Sequence, residues 1–426
     1  MANPQSAIRD PQSQETSSHI FIARQPIFRA NQKIYGYELL FRSSLENFFS
    51  AAQDGDQATS KVITNSYLLI GINKLTEGRK AFINFTSELL IKEYPALLPR
   101  ESTVIEVLES VAPTPQIVEA CANLVRKGYI LALDDFSYDP SWQPLIKLAQ
   151  IIKFDISTMS RAELASQVQT VSRKKPLRLL AERVETMEDF EECKAMGFDL
   201  FQGYFFSKPK IISGRDIPGY KLHYLQILRE LQMENYNFAR IAALIASDPS
   251  LSYKLLKYVN SSYFASRQEI ASLQGAVARL GESNLRKWLY LMMLSYMAED
   301  KPSELLRLCV IRARFCELMG ERLDRKGALT GKYYMVGMFS LLDAILDQPM
   351  ATILEGIAFS PEIKEVLLRQ RKSGPLYYAI IFTRAYERGK WGMVSKLIDI
   401  LKINTDELPL LYDEALTFAR QFDIKE

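Results

Sequence analysis

Seven short β-rich segments in the first half of this 426-residue chain each end in polar residues. These residues are Glu38, Asn84, Glu106, the pair Asp134-Asp135, Lys153, Glu182 and Gln202. Because the carboxyl ends of parallel strands surround one face of a barrel, we expect these side chains to converge there. One such acid is usually a helix cap or a loop charge, but a series of seven favours a functional ring. Converging carboxylates stay ionised only beside cations, so the ring predicts two divalent metals that activate water on a phosphodiester.

Two basic residues accompany these acids. Lys153 would lie among the carboxylates, where it could orient water or stabilise developing charge. Arg42 is either a surface arginine or a phosphate contact, which its bidentate guanidinium suits. The aromatic residues of the run 202–206 either stack on a nucleotide base or close the barrel by packing, and packing is at least as common.

The segments that must position these residues alternate with amphipathic helices between residues 19 and 210. The predicted strands are His19–Phe28, Lys33–Phe41, Ala81–Phe85, Thr103–Leu108, Tyr129–Leu133, Ile151–Phe154, Arg178–Ala181 and Leu200–Phe201. The predicted helices include Gln57–Leu75, Pro115–Arg126, Arg161–Arg173 and Met187–Met196. This alternation predicts parallel βαβ units, in a closed barrel or an open sheet, and the turn at 29–32 makes a hairpin of the first two strands. No glycine-rich phosphate loop follows any strand, which disfavours a dinucleotide or P-loop fold.

The strands disappear after about residue 225, and the second half is predicted to be all-α with eight to ten helices. Pro249 marks one helix start, and Leu306, Cys309, Ala313 and Cys316 form an apolar stripe at helical spacing. The predicted organisation is a disordered tail at 1–18, a barrel at 19–210, a linker at 211–225 and a helical domain at 226–426.

Composition excludes several classes of protein. The net charge of +3 provides no strong field for a nucleic-acid polymer or a membrane surface. Four cysteines without a CxxC pair make no disulfide framework, and two histidines, His19 and His223, rule out a histidine-rich zinc site. The sequence also lacks a signal-peptide pattern and an apolar run long enough to span a bilayer, so we expect a cytoplasmic protein.

Residues about 20–210 resemble the EAL domain, the fold of cyclic di-GMP phosphodiesterases. The matching pieces are YELLFR (37–42), INFTSELL (83–90), VIEVLE (104–109), LDDF (133–136), IIKFD (151–155), LLAERVET (179–186) and FQGYFFSKP (201–209). Residues about 226–300 resemble the HDOD domain, through the pieces at 245–264 and 270–281. The resemblance implies a compact (β/α)8 TIM-like barrel with an antiparallel first strand, followed by an all-helical domain.

The resemblance also implies a role for each matching residue. Glu38, Asn84, Glu106 and Asp134 match metal ligands, and Asp135 matches the carboxylate of the second metal. Lys153 matches the lysine that positions the attacking water. Glu182 and Glu185 match paired catalytic glutamates, Arg42 matches a phosphate-binding arginine and Gln202 matches a glutamine beside the metals. The implied cofactor is Mg2+ or Mn2+, and the implied ligand is cyclic di-GMP.

Three readings of the function remain open. The barrel could hydrolyse cyclic di-GMP to the linear dinucleotide, bind it as a receptor, or act as a scaffold that binds neither metal nor nucleotide. The complete acidic ring favours the first two readings. Two departures from the EAL pattern, Ser137 and Arg183 in place of glycines, favour weakened catalysis, because the loop at Ser137 couples dimerisation to metal geometry in active members. The helical half lacks histidines after His223, so we expect it to interact with a protein partner and not to hydrolyse phosphoesters.

Overall fold

The computed structural model describes residues 21–42, 72–172, 177–207, 249–260, 272–324, 331–357 and 359–422, together with the single residues 245, 270, 327 and 329. The predicted helix 57–75 therefore lies within the described residues only at its carboxyl end. The tail at 1–18 and the linker at 211–225 lie outside them.

Eight strands form a closed barrel in the order of the sequence. They are β1 (Phe21–Arg29), β2 (Ile34–Arg42), β3 (Lys80–Phe85), β4 (Thr103–Val107), β5 (Ile130–Leu133), β6 (Ile151–Asp155), β7 (Arg178–Glu182) and β8 (Leu200–Gln202). Strand β1 runs antiparallel to both of its neighbours, β2 and β8, and every other pair is parallel. The predicted closed barrel with an antiparallel first strand is confirmed, and each predicted strand is present within two residues at either end.

One apolar side chain from each strand fills the barrel interior. These are Ile27, Tyr35, Phe82, Val104, Ala132, Ile151, Leu180 and Leu200, which pack as one buried cluster. Successive side chains of a strand point to opposite faces, so the next inward position lies two residues further along. The apolar layer therefore forms a floor, and the positions that follow it face the open end of the barrel.

Short helices connect the strands: α1 (Ile72–Thr76), α2 (Ser87–Ile91), α3 (Pro115–Arg126), α4 (Gln143–Leu148), α5 (Arg161–Ser172) and α6 (Met187–Ala195). Their starts follow from local sequence. Thr114 caps α3 with proline at its first position, and Thr186 forms a reciprocal capping box with Asp189 at the start of α6. Helices α2, α5 and α6 begin within a few residues of the end of the preceding strand, which leaves the last side chains of those strands at the open face.

The described part of the second half contains ten α-helices and no strand. They are α7 (Pro249–Val259), α8 (Leu273–Met297), α9 (Ser303–Leu323), α10 (Lys332–Met338), α11 (Leu342–Leu346), α12 (Met350–Glu355), α13 (Pro361–Leu367), α14 (Pro375–Glu387), α15 (Trp391–Leu401) and α16 (Leu408–Arg420). The all-α prediction is confirmed. Gly281 breaks α8 with a non-helical backbone, and all four cysteines of the chain are buried and free. None of the described helices is long and apolar enough to cross a membrane.

The helical half packs against the first two strands of the barrel. The Tyr37 hydroxyl of β2 donates a hydrogen bond to Glu304 of α9 at 3.2 Å, and both residues are buried. On β1, the ring of Phe21 lies 6.3 Å from that of Trp391 on α15. Outside these strands, Lys74 pairs with Asp413 of α16 at 2.8 Å. The strand that carries Glu38 is therefore covered by helices of the second half.

A buried ion pair holds together the helices at this interface. Arg312 of α9 binds Glu387 of α14 through two hydrogen bonds, Nε to Oε2 at 2.6 Å and Nη2 to Oε1 at 2.8 Å. Both side chains are buried, so neither charge is compensated by water. Removing one partner of such a pair leaves the other charge unpaired in the interior, which is costly.

We expect Glu387→Gln to lower the free energy of unfolding by about 3 kcal/mol, because the Arg312 guanidinium loses its counter-charge. Urea denaturation followed by far-ultraviolet circular dichroism measures this change. The matched control is Glu355→Gln, which alters an exposed glutamate of α12 and should leave the unfolding curve in place. Equal stabilities of the two variants would contradict this account of the interface.

Candidate functional site

A layer of eight polar side chains lies above the apolar floor, one from each strand or from the residue that directly follows it. Its members are Gln25, Glu38, Asn84, Glu106, Asp134, Lys153, Glu182 and Gln202. On seven strands the polar residue is two positions from the apolar one, as the alternation of a strand requires. On β2 the distance is three, because the β1–β2 pairing contains a bulge beside Ile27. The barrel therefore brings the seven predicted positions to one place, although Glu38 does not end its strand as predicted, because β2 continues to Arg42 to pair with the start of β1.

Lys153 is the centre of this layer and is fully buried. Its ammonium nitrogen lies 2.6 Å from Glu106 Oε1, 2.6 Å from Asp134 Oδ1 and 3.0 Å from Glu182 Oε1. Glu38 Oε1 is 3.9 Å away on the fourth side. One cation is thus surrounded by four carboxylates.

Burial and the neighbouring charges shift the pKa values of Glu106, Glu182 and Lys153. Burial raises the pKa of Glu106 well above its ordinary value, against the lowering effect of Lys153. Burial likewise raises the pKa of Glu182 to about 8. For Lys153, burial alone would lower the pKa, but the surrounding carboxylates outweigh it and the pKa is raised. The cluster therefore contains more acidic groups than the single lysine can hold ionised.

Two amide side chains hold Glu38 in place. Asn84 Nδ2 donates to Glu38 Oε1 at 3.3 Å, and Gln202 Nε2 donates to Glu38 Oε2 at 2.5 Å. These bonds leave the amide oxygens of both residues buried without a hydrogen-bond partner. Oxygen atoms in that condition are suited to ligating a cation.

A group of carboxylates at the edge of the layer could hold a second cation. Asp134, Asp135 and Glu182 each offer an oxygen, and the three oxygens lie within 4.8 Å of one another. Asp135 adopts the left-handed backbone conformation with φ +40°, and partial burial together with Asp134 raises its pKa. Within the described residues this is the one group of three such ligands that are close enough to share a metal ion.

The other predicted residues are placed less centrally. Arg42 ends β2, but its side chain lies outside the described residues. Glu185 is exposed in the loop between β7 and α6. Phe205 and Phe206 are buried and pack on Phe28, so these two aromatics close the barrel and do not face a ligand.

Two features of the site were absent from the sequence prediction, which did not name Gln25 and named Arg183 only as a departure from the EAL pattern, without its contact to Asp155. Gln25 belongs to the polar layer because β1 runs antiparallel, which places its starting residues at the open end. The alternation of Gln25 with Ile27 is the sequence signal for this position, but Gln25 lies near the start of its strand and not at the end. Arg183 pairs its Nε with the buried Asp155 at 3.0 Å and has φ +55°, a conformation that favours glycine.

Comparison with known proteins places this geometry in a family. The EAL domain model matches residues 9–209 and the HDOD domain model matches residues 217–344. The chain is 38% identical over 379 residues to the cyclic di-GMP phosphodiesterase CdgJ of Vibrio cholerae, covering 89% of this chain and 87% of that protein. It is 37% identical over 409 residues to the uncharacterized protein YuxH of Bacillus subtilis, covering 94% and 98%.

The chain belongs to the EAL–HDOD family. Solved structures are also similar to part of the chain. An EAL domain protein from Listeria monocytogenes is 21% identical with a TM-score of 0.37, over 44% of this chain and 87% of that one. BlrP1 of Klebsiella pneumoniae, in a manganese and cyclic di-GMP complex, is 24% identical with a TM-score of 0.37, over 46% and 57%.

The loop that departs from the EAL pattern is ordered by local contacts. Ser137 is exposed, the Tyr138 amide donates to Gln167 Oε1 at 2.9 Å, and Asp139 caps the short 3-10 helix Pro140–Trp142. The ring of Trp142 packs edge-on against Phe136, next to Asp135 in the chain. In this EAL–HDOD protein the loop is therefore tied to the edge of the polar layer.

We expect Lys153→Met to lower the free energy of unfolding by about 3–5 kcal/mol in metal-free buffer, because four carboxylates lose their buried counter-charge. Chemical denaturation measures the loss, and added Mn2+ should recover part of it by replacing the missing positive charge. Lys372→Met, at an exposed lysine, is the control and should not change stability. A Lys153→Met protein as stable as the control would show that the lysine does not hold the layer together.

Proposed function

We propose that this protein is a cyclic di-GMP signalling protein whose barrel binds the dinucleotide at its open end and hydrolyses it with divalent metal ions. The observation that carries the proposal is the polar layer, in which every strand contributes and four carboxylates surround Lys153. The EAL match and the phosphodiesterase name of the Vibrio cholerae relative support the choice of substrate. The same resemblance supports a cytoplasmic location.

The residues present fit a metal site. Glu38, Asn84, Glu106 and Asp134 would hold one ion and Asp135 would take part in holding a second, with Mg2+ or Mn2+ as the proposed ions. Three oxygens, Asn84 Oδ1, Glu106 Oε2 and Glu182 Oε2, are buried without hydrogen-bond partners. Buried oxygens of this kind are suited to ligating a cation. Bound ions of this kind polarise a phosphoryl oxygen and lower the pKa of water.

The protein's own groups would then position the reactants. Lys153, which touches three carboxylates, can also donate to the attacking water or to a phosphate oxygen, where it stabilises developing negative charge. We assign proton transfer to Glu182 and Glu185, phosphate binding to Arg42, and orientation of Glu38 to Gln202. Water oxygen bonds to phosphorus, the bond from phosphorus to the ribose 3′ oxygen breaks, and that oxygen leaves with a proton, giving the linear dinucleotide.

A second candidate function is a receptor that binds cyclic di-GMP without turnover. The observation that favours it is the Arg183–Asp155 pair, which places a cation where the EAL pattern has glycine. In both cases we propose that the helical half is an output module that binds a protein partner, and that the EAL half could form a homodimer.

Purified protein should convert cyclic di-GMP to the linear dinucleotide slowly, with Mn2+ or Mg2+ required. Glu38→Ala should abolish turnover and weaken metal affinity, because it removes a ligand. Product is measured by reversed-phase chromatography with and without EDTA. The control, Glu119→Ala, alters an exposed glutamate of α3 and should keep wild-type turnover.

Each alternative has its own outcome in that assay. Turnover in EDTA, or full activity of Glu38→Ala, would show that the polar layer is not the catalyst. Tight binding of cyclic di-GMP without turnover in any metal would select the receptor. Absence of both binding and turnover would leave the scaffold.

Arg42→Ala should weaken cyclic di-GMP binding about tenfold or more, since a hydrogen bond to a charged group is worth roughly 1.5–3 kcal/mol. Isothermal titration calorimetry in Ca2+ measures affinity while limiting turnover. Arg126→Ala, at the exposed end of α3, is the matched control. Equal affinities for the two variants would remove Arg42 from the binding site.

A further inference from the structure

The carboxyl end of helix α14 docks beside the open end of the barrel. The residue after the helix, Arg388, places its guanidinium 4.4 Å from the ring centre of Tyr204, which lies just beyond β8. Burial and the Glu387 carboxylate raise the pKa of Tyr204, whose hydroxyl is hydrogen-bonded to that carboxylate. This helix end is therefore anchored to the strand that supplies Gln202.

A chain of hydrogen bonds runs from this helix end to Glu38. The Arg388 carbonyl accepts from Gln25 Nε2 at 3.3 Å, and Gln25 Oε1 accepts from Gln202 Nε2 at 3.1 Å. The same Gln202 nitrogen donates to Glu38 Oε2 at 2.5 Å. Gln25 and Glu38 are also direct partners in the β1–β2 pairing.

The two ends of this chain determine the direction of every bond in it. A helix leaves its last carbonyls without partners inside the helix, and the Arg388 carbonyl can only accept. Gln25 must therefore turn its amide nitrogen toward Arg388 and its oxygen toward Gln202. Gln202 then presents both of its N–H groups, one to Gln25 and one to the carboxylate of Glu38. The helical half thus sets which way Gln25 faces, and Gln25 in that orientation reinforces the orientation of Gln202 that the Glu38 carboxylate requires.

A glycine sets how closely the helix end approaches the strand. Gly389 follows Arg388 and has φ +61°. A Cβ at this position would lie 2.6 Å from Leu40 Cδ1, on the strand that carries Glu38. A valine here is strained at positive φ and also collides with the Leu40 side chain, so the backbone at this helix end and the Leu40 side chain on β2 must both shift.

We propose that Gln25 is a positioning residue through which the helical half holds the metal ligand Glu38, so that displacement of the α14 end changes metal affinity. This inference rests on the proposed metal site and adds that the helical half controls its affinity for metal. Residues that hydrogen-bond to a metal ligand and orient it typically change metal affinity by a factor of about 10–100. A partner protein or ligand that shifted α14 would act on the barrel by the same route.

The test measures Mn2+ affinity of the full-length protein by isothermal titration calorimetry, with thermal unfolding as a check on folding. Gln25→Met, which removes both hydrogen bonds, should raise the Mn2+ dissociation constant about tenfold. Gly389→Val, placed in the helical half, should raise it severalfold. The matched controls are Gln116→Met and Gly392→Val, both at exposed positions, and Gly392 has open space around it.

The outcomes separate this inference from the function on which it rests. Weakened Mn2+ binding in both test variants, with unchanged controls and native unfolding temperatures, supports the connection. Wild-type Mn2+ affinity in Gln25→Met and Gly389→Val overturns it and leaves the proposed metal site intact. A wild-type protein that binds no Mn2+ overturns both. Weakening in Gln25→Met alone overturns the role of the helical half, because the bond to Arg388 would then have no effect on Glu38.

Discussion

The ammonium group of Lys153, buried between Glu106, Asp134 and Glu182, is the interaction on which the open end of this barrel depends. Converging carboxylates repel one another in a medium that screens them poorly, so the layer needs a cation at its centre. One lysine provides a single charge for several acids. Burial, reinforced by the neighbouring acids, raises the pKa values of Glu106 and Glu182, and the excess of acidic groups makes the layer suitable for divalent ions.

The antiparallel first strand connects this charge cluster to the rest of the chain. Because β1 runs against β2 and β8, its starting residues reach the open end, where Gln25 meets Gln202. Helices of the second half cover β1 and β2 instead of leaving them to solvent, and Tyr37 and Phe21 make those contacts. The helical half is thereby packed on the strand that carries Glu38, so the proposed enzyme and the proposed receptor could use the same connection.

Membership of the EAL–HDOD family does not decide between hydrolysis of cyclic di-GMP and binding without turnover. That choice depends on individual residues at the edge of the polar layer. Arg183 and the loop beginning at Ser137 depart from the EAL pattern at the edge of the layer, while the central residues match it. The Arg183 guanidinium faces Asp155, a buried carboxylate that also accepts hydrogen bonds from Ser157. Such a change adds positive charge near the acids without removing any of the predicted metal ligands.

The sequence by itself determined the eight strands, the helical second half and seven of the eight polar positions, because each is a local pattern. The side chains of a strand alternate between its two faces with a period of two residues, and an acid or amide directly after an apolar pair marks the end of the apolar segment. Only the tertiary structure decided the rest. A bulge beside Ile27 makes Gln25 the partner of Glu38, and a slip of one residue would turn it to the other face. The bond from Gln25 to Arg388 joins residues that are 363 positions apart, and it exists because the barrel and the helical half pack together, which no local pattern in the chain encodes.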